Sequence, residues 1–161
     1  MFLNKRKTIF LISVSALIFI LTINQVKSQI IKIVDGDTIH LNGEKIRFTG
    51  IDTPELKQTC FKNGEKYHCG VTAKQILIDK IGNNNVECIS EGKDQYKRTL
   101  AECFVNNESL SSYLVRSGYA FAYRRYSKKF VPDEDYARMN KLGMWSMEFN
   151  YPWDYRKFKK N

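Results

Sequence analysis

"IVDGDTIHLNGEKIRFTGIDTPE", residues 33–55, decides how this chain folds, and it crowds Asp35, Asp37, Asp52 and Glu55 around Arg47. Its β-branched residues, with Ile46 and Phe48 alternating against polar neighbours, predict two strands. Asn42-Gly43 predicts a tight hairpin between them, because both residues tolerate positive φ. Gly36 between two aspartates predicts a bend or bulge where the first strand turns sharply. A strict two-residue turn places Thr38 opposite Arg47 and Asp37 opposite Phe48, so Asp37 and Arg47 point to different faces of the ladder. Only a break in that parity brings them together. A merely solvated surface would scatter such charges, so their concentration asks for a ligand.

Outward from this stretch, "QIIKIV" at residues 29–34 predicts a preceding strand, and residues 53–70 carry loop chemistry. "VTAKQILIDKIG" predicts a helix with Ala73, Ile76, Leu77 and Ile81 on one face and Gly82 as its stop. "NVECIS" and "RTLAECF" predict two more strands joined by the charged loop "EGKDQYK". "ESLSSYLVRSG" predicts a second helix with Leu110, Tyr113 and Leu114 inward. A third starts near Pro132, where Asp133, Glu134 and Asp135 suit the positive end of a helix dipole. Met139 and Leu142 are expected on its buried side. The tail "YPWDYRKFKKN" reads as basic and partly loose at its end. Three strands, a helix, two strands and two helices define an α+β, mainly β chain. They match a five-stranded Greek-key barrel of the OB type with about three helices.

The 161 residues carry 26 Lys and Arg against 17 Asp and Glu, a net charge of +9. Lys5, Arg6 and Lys7 precede an uncharged, largely apolar run from Ile9 to Ile23, the length of an export-signal core and short of the roughly 20 residues of a membrane span. Residues 1–28 are expected to be a signal peptide cut before Gln29, or else an N-terminal membrane anchor, with residues 29–161 as the single working domain. The expected location is therefore periplasmic or secreted, or tethered to the membrane. Cleavage removes Lys5, Arg6, Lys7 and Lys27 and lowers the charge from +9 to +5, still suited to a phosphate-bearing partner or an anionic membrane. Cys60, Cys69, Cys88 and Cys103 all lie in the exported part, and their even number suggests two disulfides. Of three connectivities, Cys60–Cys69 with Cys88–Cys103 is preferred because each closes a local loop. A zinc site on Cys60, His68 and Cys69 is the rival.

"VDGDT", "IRFTGIDTPE", "KDQYKRTLAECF" and "LVRSGYAFAYRRYS", in this order and spacing, resemble the staphylococcal nuclease, or thermonuclease, family over nearly the whole mature chain. The resemblance implies a calcium-dependent endonuclease that hydrolyses phosphodiester bonds of DNA and RNA and leaves 3′-phosphates. Single-stranded or locally opened substrate and a monomeric enzyme are expected. By position, Asp37 and Asp52 would bind calcium together with the Thr53 carbonyl, a hard cation among oxygen ligands. Asp35 would shape the turn or lie behind them. Glu55 matches the catalytic glutamate that activates or orients water, and Arg47 and Arg98 match the arginines that neutralise the phosphoryl transition state. Tyr96 matches a tyrosine near the bound nucleotide. Tyr123 and Tyr126 could stack on bases while Arg124 and Arg125 meet phosphates.

This sequence departs from the best-known member in its four cysteines, in residues 56–70, in Lys97 where a glycine is common, and by one residue after Gly118. A non-catalytic nucleic-acid-binding OB module is the main alternative, set against the joint presence of Asp37, Asp52, Glu55, Arg47 and Arg98. A membrane-tethered basic protein for anionic lipid is a third.

Overall fold

A computed structural model of the chain describes residues 28–159; all but the last residue of the expected leader lies outside the described residues. No described helix is long and apolar enough to cross a membrane. The β-branched N-terminal segments form β1 (Ile31–Ile33), β2 (Thr38–Leu41) and β3 (Glu44–Phe48). Asn42 and Gly43 both take positive φ, 52° and 88°, which closes the β2–β3 hairpin with no extra residue. After the two-residue β4 (Ile51–Asp52), a hairpin of β5 (Cys60–Lys62) and β6 (Glu65–Tyr67) occupies what reads in sequence as a plain loop.

Helix α1 (Cys69–Ile81) follows, burying Ala73, Leu77 and Ile81 on one stripe and ending at Gly82 with positive φ. β7 (Glu87–Lys93) and β8 (Thr99–Val105) come next, then β9 (Glu108–Ser109) and α2 (Leu110–Arg116), capped by the Ser109 side chain accepting from the Ser112 N–H. β10 (Phe121–Ala122), α3 (Val131–Met139), a 3₁₀ turn (Gly143–Ser146) and α4 (Pro152–Phe158) complete the described chain.

The main sheet runs β1-β2-β3-β8-β7, with β9 on β8. All its pairs are antiparallel except β3–β8, where Arg47 lies beside Leu100. This is the mainly β, OB-like architecture read from the element order, with a mixed sheet whose hydrogen-bonded path stays open. The Gln29 side chain spans part of the gap: it donates to the Val86 carbonyl at 2.9 Å and accepts from the Val86 N–H at 2.7 Å. Ile39, Ile46, Phe48, Leu77, Leu110 and Leu114 fill the interior against α1 and α2.

Two expectations need correction, and the tail carries structure that was not expected. Its very end, residues 160–161, lies outside the described residues, but Tyr151 and Trp153 pack with Phe121, Met144, Trp145 and Phe149 into a second apolar cluster. Pro152 at the helix start and Lys157 near its end make α4 a fourth helix. Met139 is 74% exposed, because Glu134 and Ala137, one turn apart, define the buried stripe of α3 and Met139 falls on the opposite side. Finally, the zinc reading fails, since Cys60 is bonded to Cys69 and Cys88 to Cys103.

Cys88 and Cys103 are direct cross-strand partners on β7 and β8, and their bridge closes the segment that carries Arg98. Replacing both by alanine is expected to lower unfolding free energy by about 3 kcal/mol, the loop-closure value for a bridge of this span, read by chemical denaturation.

Candidate active site

Asp37 sits at the mouth of β2, in a bend where the N–H groups of Val34 and Asp35 both reach the Thr38 carbonyl. Its own N–H donates to the Asp35 side chain at 3.1 Å, so Asp35 holds the bend. The bend needs Gly36, because a Cβ there would lie 3.0 Å from Thr53 and 3.1 Å from Ala73 of α1. The register is the strict one, with Thr38 opposite Arg47 and the Phe48 N–H donating to the Asp37 carbonyl. The carboxylate nevertheless meets Arg47, because Asp37 stands outside the pleated strand and its side chain no longer obeys the alternation.

Arg47 then bridges two acids. It donates to Asp37 Oδ1 at 2.6 Å through Nη1 and to Asp52 Oδ1 at 2.9 Å through Nη2. Both carboxylates are almost wholly buried. Asp37 also accepts from the Thr53 N–H at 3.1 Å and the Thr38 hydroxyl at 3.1 Å. Burial pushes the Asp37 carboxyl up to about 6, with Asp35 adding to the rise and Arg47 opposing it. Burial likewise raises Asp52, against the pull of Arg156 and Arg47. Even with their arginines, these carboxylates lie in surroundings that make their negative charge costly, which favours further positive charge.

Asp52 is positioned by β4, which pairs with β10 so that Asp52 faces Phe121. The same pairing delivers Tyr123, whose N–H donates to the Gly50 carbonyl at 2.9 Å. Glu55 follows in a loop tied by Gln58, a fully buried amide that accepts from the Glu55 N–H at 3.2 Å and donates to the Asn150 carbonyl at 2.6 Å. Arg98 enters from the β7–β8 turn, where Asp94 Oδ2 accepts from its Nε and Nη2 at 2.7 Å each. Lys97 holds φ of 63° in that turn, the left-handed conformation that explains the glycine usual there. The strain costs about 1 kcal/mol.

One cavity of about 380 Å³ is lined by Asp35, Asp37, Arg47, Asp52, Thr53, Glu55, Tyr96, Arg98, Tyr123 and Tyr126, with Pro54 and Arg156. The structure thus brings the predicted acids, arginines and three tyrosines together. A neighbouring groove shares Arg47, Tyr96, Arg98, Tyr123 and Tyr126 and adds Arg125 and Lys129. Arg124 points elsewhere, pairing with the buried Glu134 at 2.5 Å. Tyr126 and Tyr96 are exposed, whereas Tyr123 stacks on Trp153 at 5.7 Å between centroids.

Among the described residues, no three His, Cys, Asp or Glu side chains form a metal-ligand cluster. A cation here would rest on the Asp37 and Asp52 carboxylates and otherwise on carbonyl, water or phosphate oxygens, a donor set that suits a hard ion. Sequence reading missed Asp94, Gln58, Trp153 and Arg156; for Trp153 the signal was the Pro-started aromatic tail.

The OB-like fold gathers two buried aspartates, a loop glutamate and two arginines into one cleft, as the nuclease-like motifs of the sequence imply. The chain belongs to the staphylococcal nuclease homologue family, whose model matches residues 45–147. It is 30% identical over 125 residues to an uncharacterized endonuclease of Haemophilus influenzae, covering 73% of this chain and 65% of that protein. Protein ParB of Escherichia coli is 28% identical over 155 residues, covering 85% of this chain and 82% of the relative. A probable staphylococcal-like nuclease, CAN2, of Oryza sativa is 29% identical over 73% of this chain and 30% of its own length.

Gly70, in the first turn of α1, abuts the Glu55 loop so closely that a Cβ would fall 1.8 Å from the Glu55 carbonyl oxygen. Gly70→Ala is therefore expected to lower thermal stability by more than the roughly 1–3 kcal/mol of ordinary overpacking and to depress any activity that needs Glu55.

Proposed function

We propose that this protein is a calcium-dependent nuclease that hydrolyses phosphodiester bonds of DNA and RNA, exported by its N-terminal segment. The observation that supports it best is the single cleft in which Arg47 ties Asp37 to Asp52 beside Glu55, with Arg98 on the same wall. Calcium, when bound, supplies charge neutralisation at the phosphate and a place to orient water.

The chain's own residues do the rest. Asp37 and Asp52, with the Thr53 carbonyl, would hold the ion. Glu55, 43% exposed at its side chain, can accept a proton from a water in the cleft. Arg47 and Arg98, whose forks already hold Asp37 with Asp52 and Asp94, would turn their remaining N–H groups to non-bridging phosphate oxygens, where charge builds as the bond to the leaving oxygen breaks. Arg98 is pre-aimed by Asp94 and needs little reorganisation. Tyr96 and Tyr126 offer exposed ring faces to unpaired bases, each stack contributing about 1–3 kcal/mol with little sequence preference. That favours single-stranded or locally opened substrate. Arg125 and Lys129 in the adjoining groove add backbone contacts. Arg124, engaged by Glu134, contributes structure first.

Single-stranded DNA incubated with the protein in calcium, magnesium or chelator tests this reading. Cleavage is expected with calcium and not with chelator. Glu55→Gln and Arg98→Ala should each lower the rate by about a hundredfold or more while the melting temperature holds. Salt-dependent binding without turnover would instead identify a binding module.

A further inference from the structure

We propose that Arg156 of α4 is a positioning residue of the active site, which fixes the Glu55 carboxylate and sets how tightly the cation binds. Its guanidinium donates to Asp52 Oδ2 at 2.6 Å through Nη2, and through Nη1 to Asp52 Oδ1 at 3.2 Å and Glu55 Oε1 at 2.8 Å. One planar group thus locks the two carboxylates at a fixed separation.

Arg156 is not a loose tail residue that happens to touch acids. The segment leading to it is fastened to the Glu55 loop and to β5, which follows that loop, at several independent points. Phe61 and Glu148 exchange backbone hydrogen bonds of 2.9 and 2.8 Å. Gln58 donates to the Asn150 carbonyl, and the Tyr155 hydroxyl donates to the Lys57 carbonyl at 3.2 Å. Tyr151 stacks on Trp153 at 4.6 Å, and Trp153 stacks on Tyr123, itself a wall of the cleft. The C-terminal strap and the catalytic loop form one packed unit, and Arg156 is its point of contact with the chemistry.

Two consequences of opposite sign follow. Asp52 carries one negative charge and accepts from two guanidiniums, so both its oxygens are engaged. A cation at Asp52 shares those oxygens with Arg156, and the two positive charges repel. Removing Arg156 therefore tightens cation binding. Glu55, in contrast, has Arg156 as the only side-chain partner of its carboxylate among the described residues. Without it the carboxylate rotates freely, and turnover falls. A purely structural strap would not split the two quantities in this way.

The inference rests on the calcium-dependent nuclease reading. The test is calorimetric titration of the full chain with calcium chloride, with kcat and KM on single-stranded DNA, for wild type, Arg156→Gln and Arg156→Lys. In Arg156→Gln the calcium Kd should fall at least about tenfold and kcat at saturating calcium should fall at least about tenfold, with KM little changed. Arg156→Lys, which keeps the charge without the fork, should return Kd toward wild type and leave kcat low. Unchanged or weaker calcium binding in Arg156→Gln would overturn the proposal, as would unchanged kcat, or parallel loss of both with a lowered melting temperature. A wild-type chain that binds calcium and cleaves nothing would overturn the nuclease reading instead, and the calcium titrations would still report on Arg156.

Discussion

Everything in the cleft is referred to one interaction, the Arg47 fork that holds Asp37 with one nitrogen and Asp52 with the other. Two carboxylates this deeply buried and this close would repel each other and resist ionisation. A guanidinium between them makes their proximity tolerable, and the barrel supplies the guanidinium from β3, the one strand paired to β2 on one side and β8 on the other. Breaking a buried pair of this kind by removing one partner costs about 3–5 kcal/mol, because the other charge is stranded. In the proposed reading, the geometry that stabilises the mouth of this fold would also suit it to a cation and a phosphate.

The rest of the site is arranged around that clamp by separate devices. Gly36 lets the Asp37 bend press on Thr53, β10 carries Tyr123 to the edge of β4, and Asp94 aims Arg98 from the β7–β8 turn. The Cys60–Cys69 bridge joins the β5 hairpin to the start of α1 within the second apolar cluster, and so braces the loop between Asp52 and α1. Onto this frame the C-terminal strap adds a second guanidinium at Asp52. The acids outnumber their arginines in the centre of the cleft, and the periphery, with Arg125 and Lys129, is basic. Such an arrangement suits a polyanion at the rim and, in the proposed reading, a cation at the centre.

Much of this was legible from residues alone. The strands around Asn42-Gly43, the stripes of α1 and α2, the disulfide pairing and the cleft-lining residues Asp37, Arg47, Asp52, Glu55 and Arg98 follow from local pattern and from motif resemblance. What escaped were features created by distant contacts. Arg156 lies 104 residues from Asp52, and nothing in "DYRKF" distinguishes it from the neighbouring solvated Lys157. Gln58 reads as a polar loop residue, yet it is fully buried because the Asn150 carbonyl closes over it. Met139 misled because a hydrophobic side chain says nothing of its face until the buried stripe is known. The parity objection to an Asp37–Arg47 contact was sound for a regular strand, and it lapsed because Asp37 stands one residue outside it.

The most direct measurement is a crystal structure of the chain grown with calcium and a non-hydrolysable dinucleotide, with the ion located by its anomalous signal. The account predicts one ion bridging Asp37 and Asp52, with a phosphate between Arg47 and Arg98 and Glu55 facing it. An ion found elsewhere, with Asp52 still held by both Arg47 and Arg156 and the dinucleotide away from the cleft, would contradict it.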